Sequence, residues 1–430
     1  MILLVAQGAA LSGLPCAAQL LPVESPAIQG AWPLARSFQR LYSDRFHVLE
    51  PVFPRLPPTR WDALIIYSAG TIESRNPVTG AAHWDRPVPC RNEPQFLGQA
   101  AGRLILATGQ RIFAVTRDRG AVAWSIGEEP ADRPMDDPEN QTTWTCHAMT
   151  ADRVFSASDR GVVRAIDIST GAMLWRRATH LQISQLAVDE RIVAFGVHER
   201  RGSEVRFLDA ATGRDSWQSS PKDTSSIEML AVMGDGVVLC LYSNNLVAVD
   251  TGVAAVTFTV PAADRFVPAT FDCGSFGVII SPDGRRLCRY NVGGRLAWRS
   301  EEICEVTGEG LWSEVSGATV FASSGETISA FSLADGRLTW KRKVPRLVRT
   351  LSPKVNDRMV IVIAEDPTEK DGKQRFRVIA LSRTDGSPLP GGTEDSITTE
   401  PMTALDGFYI RDRSLILVSG FQMIGYSQER

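Results

Sequence analysis

The feature that most constrains the fold of this chain is a repeated Gly-x-x-x-Trp step. It occurs six times, at Gly80/Trp84, Gly120/Trp124, Gly171/Trp175, Gly213/Trp217, Gly294/Trp298 and Gly336/Trp340. Two degenerate copies, Gly252 with Val256 and Gly386 with Pro390, keep the rhythm, and successive glycines are 40, 51, 42, 39, 42, 42 and 50 residues apart. A period near 42 residues is typical of the four-stranded blade of a β-propeller.

Each repeat can be interpreted as a set of antiparallel strands. RVFSAS (153–158) and VVRAIDI (162–168) alternate as strands do, and the polar turn Ser169–Gly171 leads to a third strand, AMLWRR. The glycine supplies the positive φ that a tight turn needs. Six residues before it the side chain is usually small, at Ser74, Ala114, Ala165, Cys288, Ala330 and Ala380, with Phe207 as an exception. Small side chains on one strand leave room for the indole rings of stacked blades.

The blade count and the closure of the ring depend on the two ends of the chain. Nine strand pairs of this kind begin near residues 64, 104, 154, 192, 236, 277, 319, 359 and 415, against eight turn glycines. We therefore expect an all-β propeller with eight blades, or nine as the alternative. The last pair, SLILVSG (414–420) and FQMIGYS (421–427), lacks an outer strand, and MILLVA (1–6) is predicted to supply it and close the ring. Residues 1–60 are interpreted as an N-terminal strand or arm packed on a propeller of residues 61–430.

Composition limits the cellular setting. The chain is 43% hydrophobic and 22% charged with a net charge of −3, which is typical of a soluble globular protein and does not favour nucleic-acid binding. No stretch is long and apolar enough to predict a transmembrane helix. Residues 1–18 resemble a signal peptide without its basic n-region. We expect export to the periplasm if they are a signal, and a cytoplasmic protein if residues 1–6 are the closing strand.

The pattern A-x-D-x-x-T-G-x-x-x-W, complete at Ala165, Asp167, Thr170, Gly171 and Trp175, resembles the repeat of the PQQ-like (pyrroloquinoline-quinone-like) β-propellers. The resemblance extends over about residues 60 to 427. That superfamily includes quinoprotein dehydrogenases as well as non-catalytic scaffolds, such as the propeller lipoprotein of the outer-membrane barrel assembly machinery. The resemblance implies the fold and leaves either function open.

Catalytic patterns are missing from the sequence. The seven cysteines are scattered, so the adjacent pair that supports the quinone in the dehydrogenases is absent, and no nucleophile elbow, P-loop or zinc-protease motif occurs. Cys146-His147 is the nearest approach to a metal-ligand pair, and we interpret it as a loop dipeptide. Cys240 and Cys288 lie in apolar runs and are interpreted as buried small hydrophobes. The sequence therefore predicts no cofactor, no metal site and no catalytic residue.

The leading hypothesis is a non-enzymatic, monomeric PQQ-like propeller that binds a protein or another ligand through its rim loops. An acidic insertion at 127–147 is the candidate partner loop, with Asp136, Asp137, Glu139 and Trp144 as its candidate contact residues. A second insertion, 365–374, is predicted to be a hairpin tip, and the basic run Lys341–Lys343 a solvated edge. The alternatives are a quinoprotein oxidoreductase with an atypical PQQ and calcium site, and a hydrolase or lyase with its site in the central channel.

Overall fold

The computed structural model describes residues 35–41, 46–49, 63–127, 143–179, 181–199, 202–217, 222–223, 226–233, 236–242, 245–253, 255–261, 272–274, 277–281, 286–301, 312–348, 351–355, 358–366, 376–389, 397–398, 405, 407–411, 414–419 and 422–427. These ranges form strands and turns. None of them contains a helix with the length and hydrophobicity needed to cross a membrane.

The strands form nine antiparallel sheets, which we call blades 1 to 9. Blades 1 to 3 consist of β2 (Phe46–Val48), β3 (Leu64–Ser68), β4 (Thr71–Arg75) and β5 (Val88–Pro89); β6 (Gln95–Ala100), β7 (Arg103–Ala107), β8 (Ile112–Thr116) and β9 (Val122–Ile126); and β10 (Trp144–Met149), β11 (Arg153–Ser158), β12 (Val162–Asp167) and β13 (Met173–Ala178). Blades 4 to 6 consist of β14 (Gln182–Val188), β15 (Ile192–Glu199), β16 (Gly202–Asp209), β17 (Asp215–Trp217) and β18 (Lys222–Asp223); β19 (Ile227–Val232), β20 (Val237–Tyr242), β21 (Asn245–Asp250) and β22 (Ala255–Pro261); and β23 (Asp272–Gly274), β24 (Gly277–Ile280), β25 (Cys288–Tyr290) and β26 (Leu296–Arg299). Blades 7 to 9 consist of β27 (Trp312–Ser316), β28 (Thr319–Ser324), β29 (Thr327–Ser332) and β30 (Leu338–Lys343); β31 (Lys354–Val355), β32 (Met359–Glu365), β33 (Phe376–Ser382) and β34 (Ile397–Thr398); and β35 (Gly407–Arg411), β36 (Ser414–Ser419), β37 (Gln422–Ser427) and β1 (Ala35–Leu41).

Packing between the blades closes them into a ring. Each pair of neighbouring blades buries its own hydrophobic cluster, and the series ends with one in which Phe46 and Leu64 of blade 1 meet Ile416 and Met423 of blade 9. The first strands of several neighbouring blades contact each other, as β10 does β14, so these strands lie towards the centre. The prediction of an all-β propeller of four-stranded antiparallel blades is confirmed. Of the two counts that the sequence allowed, the described residues show nine, one for each predicted strand pair.

The ring is closed by an N-terminal strand, but not by the residues that the sequence suggested. Ala35–Leu41 pairs antiparallel with Gln422–Ser427 and takes the outer position of blade 9. MILLVA (1–6), to which we assigned this place, lies outside the described residues. The predicted arm of residues 1–60 thus contributes two strands to the propeller, since β2 within it pairs with β3. MILLVA is apolar throughout and ARSFQRL is mostly polar, yet it is the polar segment that pairs with the edge of blade 9.

In five of the blades, a tryptophan links the blade to the next one. The indole Nε1 of Trp175 in blade 3 donates a hydrogen bond to the carbonyl of Ala210 in blade 4, at 2.9 Å. The ring lies against Gly213, which has a φ of 66° and where an added Cβ would be 2.6 Å from Cδ2 of the indole. The same bond joins four other pairs of neighbouring blades: Trp84 to Arg117, Trp124 to Ile168, Trp298 to Leu333 and Trp340 to Arg383. These glycines therefore serve two purposes, a left-handed turn and a docking surface.

The paired strands also explain the small residues of the repeat. Ala114, Ala165 and Ala330 lie directly opposite Trp124, Trp175 and Trp340. Trp217 instead faces Phe207 in the register of β16 and β17, the exception that the sequence had shown. The remaining repeat glycines, Gly80, Gly120, Gly171, Gly294 and Gly336, also have positive φ.

Two repeats depart from the register expected of them. In blade 5 the aromatic position belongs to Phe258, which faces Ala248 and whose ring lies against Gly294, while the predicted Val256 is paired with Val249. Ten residues separate Ala248 from Phe258, as they do Ala165 from Trp175, so Gly252 comes two residues early in its turn. In blade 6 the turn is one residue shorter, because Gly294 N donates to the carbonyl three residues back rather than four. Consequently Arg289, and not Cys288, faces Trp298.

Candidate partner-binding face

The two ends of the ring differ in what they carry. Strands alternate in direction within each antiparallel blade, so the hairpins between second and third strands and the connections between blades all lie at one end. We call this end the connection face. The opposite end, the turn face, carries the first-to-second loops and the Gly turns on which the tryptophans dock. The repeat residues are therefore occupied by inter-blade packing at the turn face.

Both insertions that interrupt the repeat are flanked by strand ends at the connection face. The first insertion lies between β9 and β10 and therefore connects blade 2 to blade 3. The second lies between β32 and β33, the middle pair of strands in blade 8. Asp136, Asp137 and Glu139 of the candidate partner loop lie outside the described residues, whereas Trp144 begins β10 and is partly buried. The structure thus attaches the candidate loop to the connection face through Trp144.

The basic run Lys341–Lys343 ends the outer strand β30 at the same face, and all three residues are exposed. Lys343 Nζ is 3.8 Å from Glu326 Oε2, in the neighbouring hairpin. The same carboxylate accepts a hydrogen bond from the backbone N–H of Arg346, whose φ of 61° turns the chain away from the blade. An exposed ion pair of this kind contributes little stability. The run is a solvated edge, as we expected.

A buried arginine lies beneath the connection face in blade 3. Arg164 on β12 is 6% exposed, and its guanidinium carbon is 3.5 Å from the centre of the Trp144 ring. Strand pairing puts Arg164 between Ser156 and Arg176, and Ser156 in turn faces His147 of β10. His147 Nδ1 and Ser156 Oγ are 3.2 Å apart and share a hydrogen bond. The row thus joins an indole, an imidazole, a hydroxyl and a guanidinium.

This row of side chains carries a positive charge, which comes from Arg164. Burial, together with the nearby Arg176, lowers the pKa of Arg164 to about 10, which leaves the guanidinium charged at neutral pH. Burial and the Arg164 charge lower the pKa of His147 to about 4, so its ring is neutral. Burial raises the pKa of the neighbouring Cys146 thiol. In the part of the chain that the structure describes, Arg164 has no hydrogen-bond acceptor for Nε or for Nη2.

Charged residues at the equivalent position of blades 4 and 1 do have counter-charges. Arg206 of blade 4 precedes the residue that faces the tryptophan, as Arg164 does in blade 3, and its Nε is 3.3 Å from Glu204 Oε1. In blade 1 the same position is Glu73, which forms a 2.5 Å ion pair with Arg75. Arg164 differs from both because, among the described residues, no carboxylate pairs with it. Sequence reasoning missed this residue, since one arginine in an alternating strand is read as a polar outward position, and only the packing of blade 2 against blade 3 buries it.

Candidate metal and catalytic groups are dispersed in the described ranges. The interpretation of Cys146-His147 as a loop dipeptide is wrong, because both residues lie within strand β10, where His147 bonds to Ser156 as above. First strands carry carboxylates at Glu228, Asp272 and Glu314, in blades 5 to 7. Within those ranges no group of three or more His, Cys, Asp or Glu side chains could hold a metal ion. Cys240 and Cys288 are buried in their strands, as predicted.

Comparison with known proteins identifies the relatives of this chain. A family model described as "Outer membrane protein assembly factor BamB" matches residues 108–265 and 283–389, which is more than half of the chain. A curated relative of that name from Yersinia pestis is 27% identical over 222 residues, covering 44% of this chain and 54% of the relative. The chain therefore spans about half the length of that relative.

Two solved structures are similar to this chain. BamB from Moraxella catarrhalis aligns over 92% of this chain and all of its own, with 14% identity and a TM-score of 0.44. The computationally designed Ika8 protein aligns over 76% of this chain and 94% of its own, with 13% identity and a TM-score of 0.51, a likeness of fold alone. From the extent of the family match, the chain belongs to the BamB family of PQQ-like β-propellers.

Proposed function

We propose that this protein is a non-enzymatic scaffold that binds another protein in outer-membrane protein assembly, and that it uses the connection face to do so. The observation that carries the proposal is membership of the BamB family, because the relative from Yersinia pestis is named an outer membrane protein assembly factor. The distribution of the repeat supports the choice of face. Docking of the tryptophans occupies the turn face, whereas both insertions attach at the connection face.

We further propose that the protein is exported to the periplasm. The closing strand is Ala35–Leu41, which lies after the possible signal segment 1–18. Removal of that segment would leave the pairing of β1 with β37 intact. This supports export, because the pairing that closes blade 9 uses residues 35–41 and not residues 1–6.

The proposed scaffold works without quinone or metal. In support, the sequence lacks the adjacent cysteine pair on which the quinone of the dehydrogenases is supported. Titration of the purified protein with PQQ and calcium tests this part of the proposal. A tightly bound, stoichiometric chromophore would contradict it and favour the oxidoreductase instead.

Site-specific photo-crosslinking in a bacterial host that makes the protein tests the scaffold proposal. A photoreactive amino acid replaces Arg160, exposed in the blade 3 hairpin of the connection face, or, as the matched control, Arg119, exposed in a turn of the opposite face. We expect the Arg160 position to yield a crosslink to a protein of the outer-membrane assembly apparatus, identified by mass spectrometry, and the Arg119 position to yield none. Crosslinks of that kind from Arg119 alone would contradict the choice of face. Export without any crosslink to an assembly protein would contradict the scaffold.

A further inference from the structure

Blade 3 contains a buried cation, Arg164, that has no carboxylate partner among the residues that the structure describes. A buried ionised group is expensive unless it is paired and hydrogen-bonded, which is why most buried arginines have a carboxylate partner. Arg164 is buried, yet its Nε and Nη2 have no acceptor in the described part of the chain. The Trp144 ring at 3.5 Å gives a cation–π contact, but it accepts neither of these N–H groups in a conventional hydrogen bond.

The described strand neighbours of Arg164 do not offer a counter-charge. The strand on one side brings Arg176, a second cation, and the strand on the other brings Ser156. His147 next to Ser156 is neutral at pH 7, and its Nδ1 is already engaged with the Ser156 hydroxyl. Every charged group identified beside this guanidinium is therefore positive. The positive field would attract an anion.

The unpaired nitrogens indicate which anion fits. Nε–H and Nη2–H lie on the same edge of the planar guanidinium and point in parallel, and this edge matches the two oxygens of a carboxylate. Trp144 covers the face of the same guanidinium, so a planar carboxylate would lie in the plane of the fork beside it. We propose that Arg164 anchors a carboxylate-binding site beneath the connection face, whose occupant is a free carboxylate or an acidic side chain of a bound protein. The site does not depend on the proposed scaffold function.

Blade 3 also supplies a matched control. Arg177 is the next residue along β13 from Arg176, is half-exposed, and is paired with Asp215 of blade 4. Strand pairing places it opposite Val163, so it points to the other side of the sheet from Arg164. Arg177→Met removes the same charge from the same blade without touching the proposed site.

The experiment measures carboxylate binding by the full-length protein. Acetate is titrated at constant ionic strength, with chloride as the balancing ion, and the melting temperature is followed by tryptophan emission. We expect a saturable rise for the wild type and for Arg177→Met. For Arg164→Met we expect acetate affinity to fall by about 10- to 100-fold, the loss that removal of a charge-assisted hydrogen-bonded partner predicts. Equal acetate affinity in Arg164→Met and the wild type would overturn the proposal, as would a wild type that shows no saturable response.

Arg164→Lys provides a second comparison in case the methionine variant does not fold. Lysine keeps the charge but lacks the two parallel N–H groups, so we expect acetate affinity to drop with this variant also. Two further probes distinguish the source of the carboxylate: a short peptide with blocked termini and one central Glu, and the same peptide with Gln. Competition with acetate by the Glu peptide alone indicates a protein side chain as occupant, and failure of both peptides indicates a free carboxylate. A crystal of the wild type grown with acetate, with the ion bound elsewhere and not at Nε and Nη2, would refute the site without any variant.

Discussion

Replacement of Gly213 by alanine tests the double use of the turn glycines. The residue has a φ of 66°, so an alanine there is in the left-handed region, at a cost of about 1–2 kcal/mol. Its Cβ would also be 2.6 Å from Cδ2 and from Cε3 of Trp175, a distance that requires the indole or the turn to move. Overpacking of this kind costs a further 1–3 kcal/mol, roughly. We expect Gly213→Ala to lower the free energy of unfolding by about 2–5 kcal/mol.

Gly102 separates the two contributions. It has nearly the same φ, 70°, and an added Cβ would meet nothing within 4 Å. Gly102→Ala therefore reports the backbone term alone, about 1–2 kcal/mol. Both variants are measured by urea unfolding followed by far-UV circular dichroism, with the slopes compared to verify that the same transition is observed.

Combination with Trp175→Ala completes the test. Removal of the indole abolishes the clash, so Gly213→Ala should cost less in that background than alone, with a coupling of about 1–3 kcal/mol. Equal losses for Gly213→Ala and Gly102→Ala, or strict additivity with Trp175→Ala, would refute the idea that the indole docks on the glycine.

Three further predictions concern the hydrogen bond from Trp175 to blade 4, the closing strand and the imidazole of His147. Trp175→Phe keeps most of the apolar packing, as Phe258 does in blade 5, but leaves the Ala210 carbonyl without its indole donor. We expect the free energy of unfolding, measured in urea, to fall by about 0.5–1.5 kcal/mol. An unchanged free energy of unfolding would argue against a stabilising role for this hydrogen bond. Deletion of residues 1–18 should leave the melting temperature unchanged, whereas deletion of residues 1–41 exposes the edge of β37 and should lower the melting temperature and cause aggregation in size-exclusion chromatography; indifference to both deletions would contradict the assigned closing strand. Because the pKa of His147 is lowered to about 4 from an ordinary 6.5, the unfolded chain binds the additional proton first, so stability should be full above pH 6.5 and decline from there towards pH 4. In thermal unfolding scans across that window His147→Gln should lose this part of the decline, while His83→Gln, in an exposed turn, should keep it.

Local patterns made the fold predictable. A glycine with positive φ, a small residue ten positions before an aromatic one, and alternating strands each recur within about forty residues, so a single blade carries enough information to be recognised. Phe258 shows the limit of that approach. The match to Gly252 pointed to Val256, whereas the ten-residue step from Ala248 identifies the ring that docks on blade 6. Strand pairing determines that step, and the position of the turn glycine does not.

Contacts between residues distant in the chain decided which strand closes the ring and which arginine is buried. Residues 1–6 (MILLVA) are apolar throughout whereas residues 35–41 (ARSFQRL) carry two arginines, and this local difference does not reveal the closing strand, because the selecting feature is the unpaired edge of β37, almost four hundred residues away. The same applies to Arg164, whose strand is amphipathic like its counterparts. It is the packing of blade 2 on blade 3, with Trp144 at the base of an insertion, that removes its guanidinium from water. The sequence by itself determined the blade and its turns, because these depend on neighbours within one repeat; the tertiary structure alone decided which strand closes the ring and which charge is buried, because burial and edge pairing depend on residues distant in the chain.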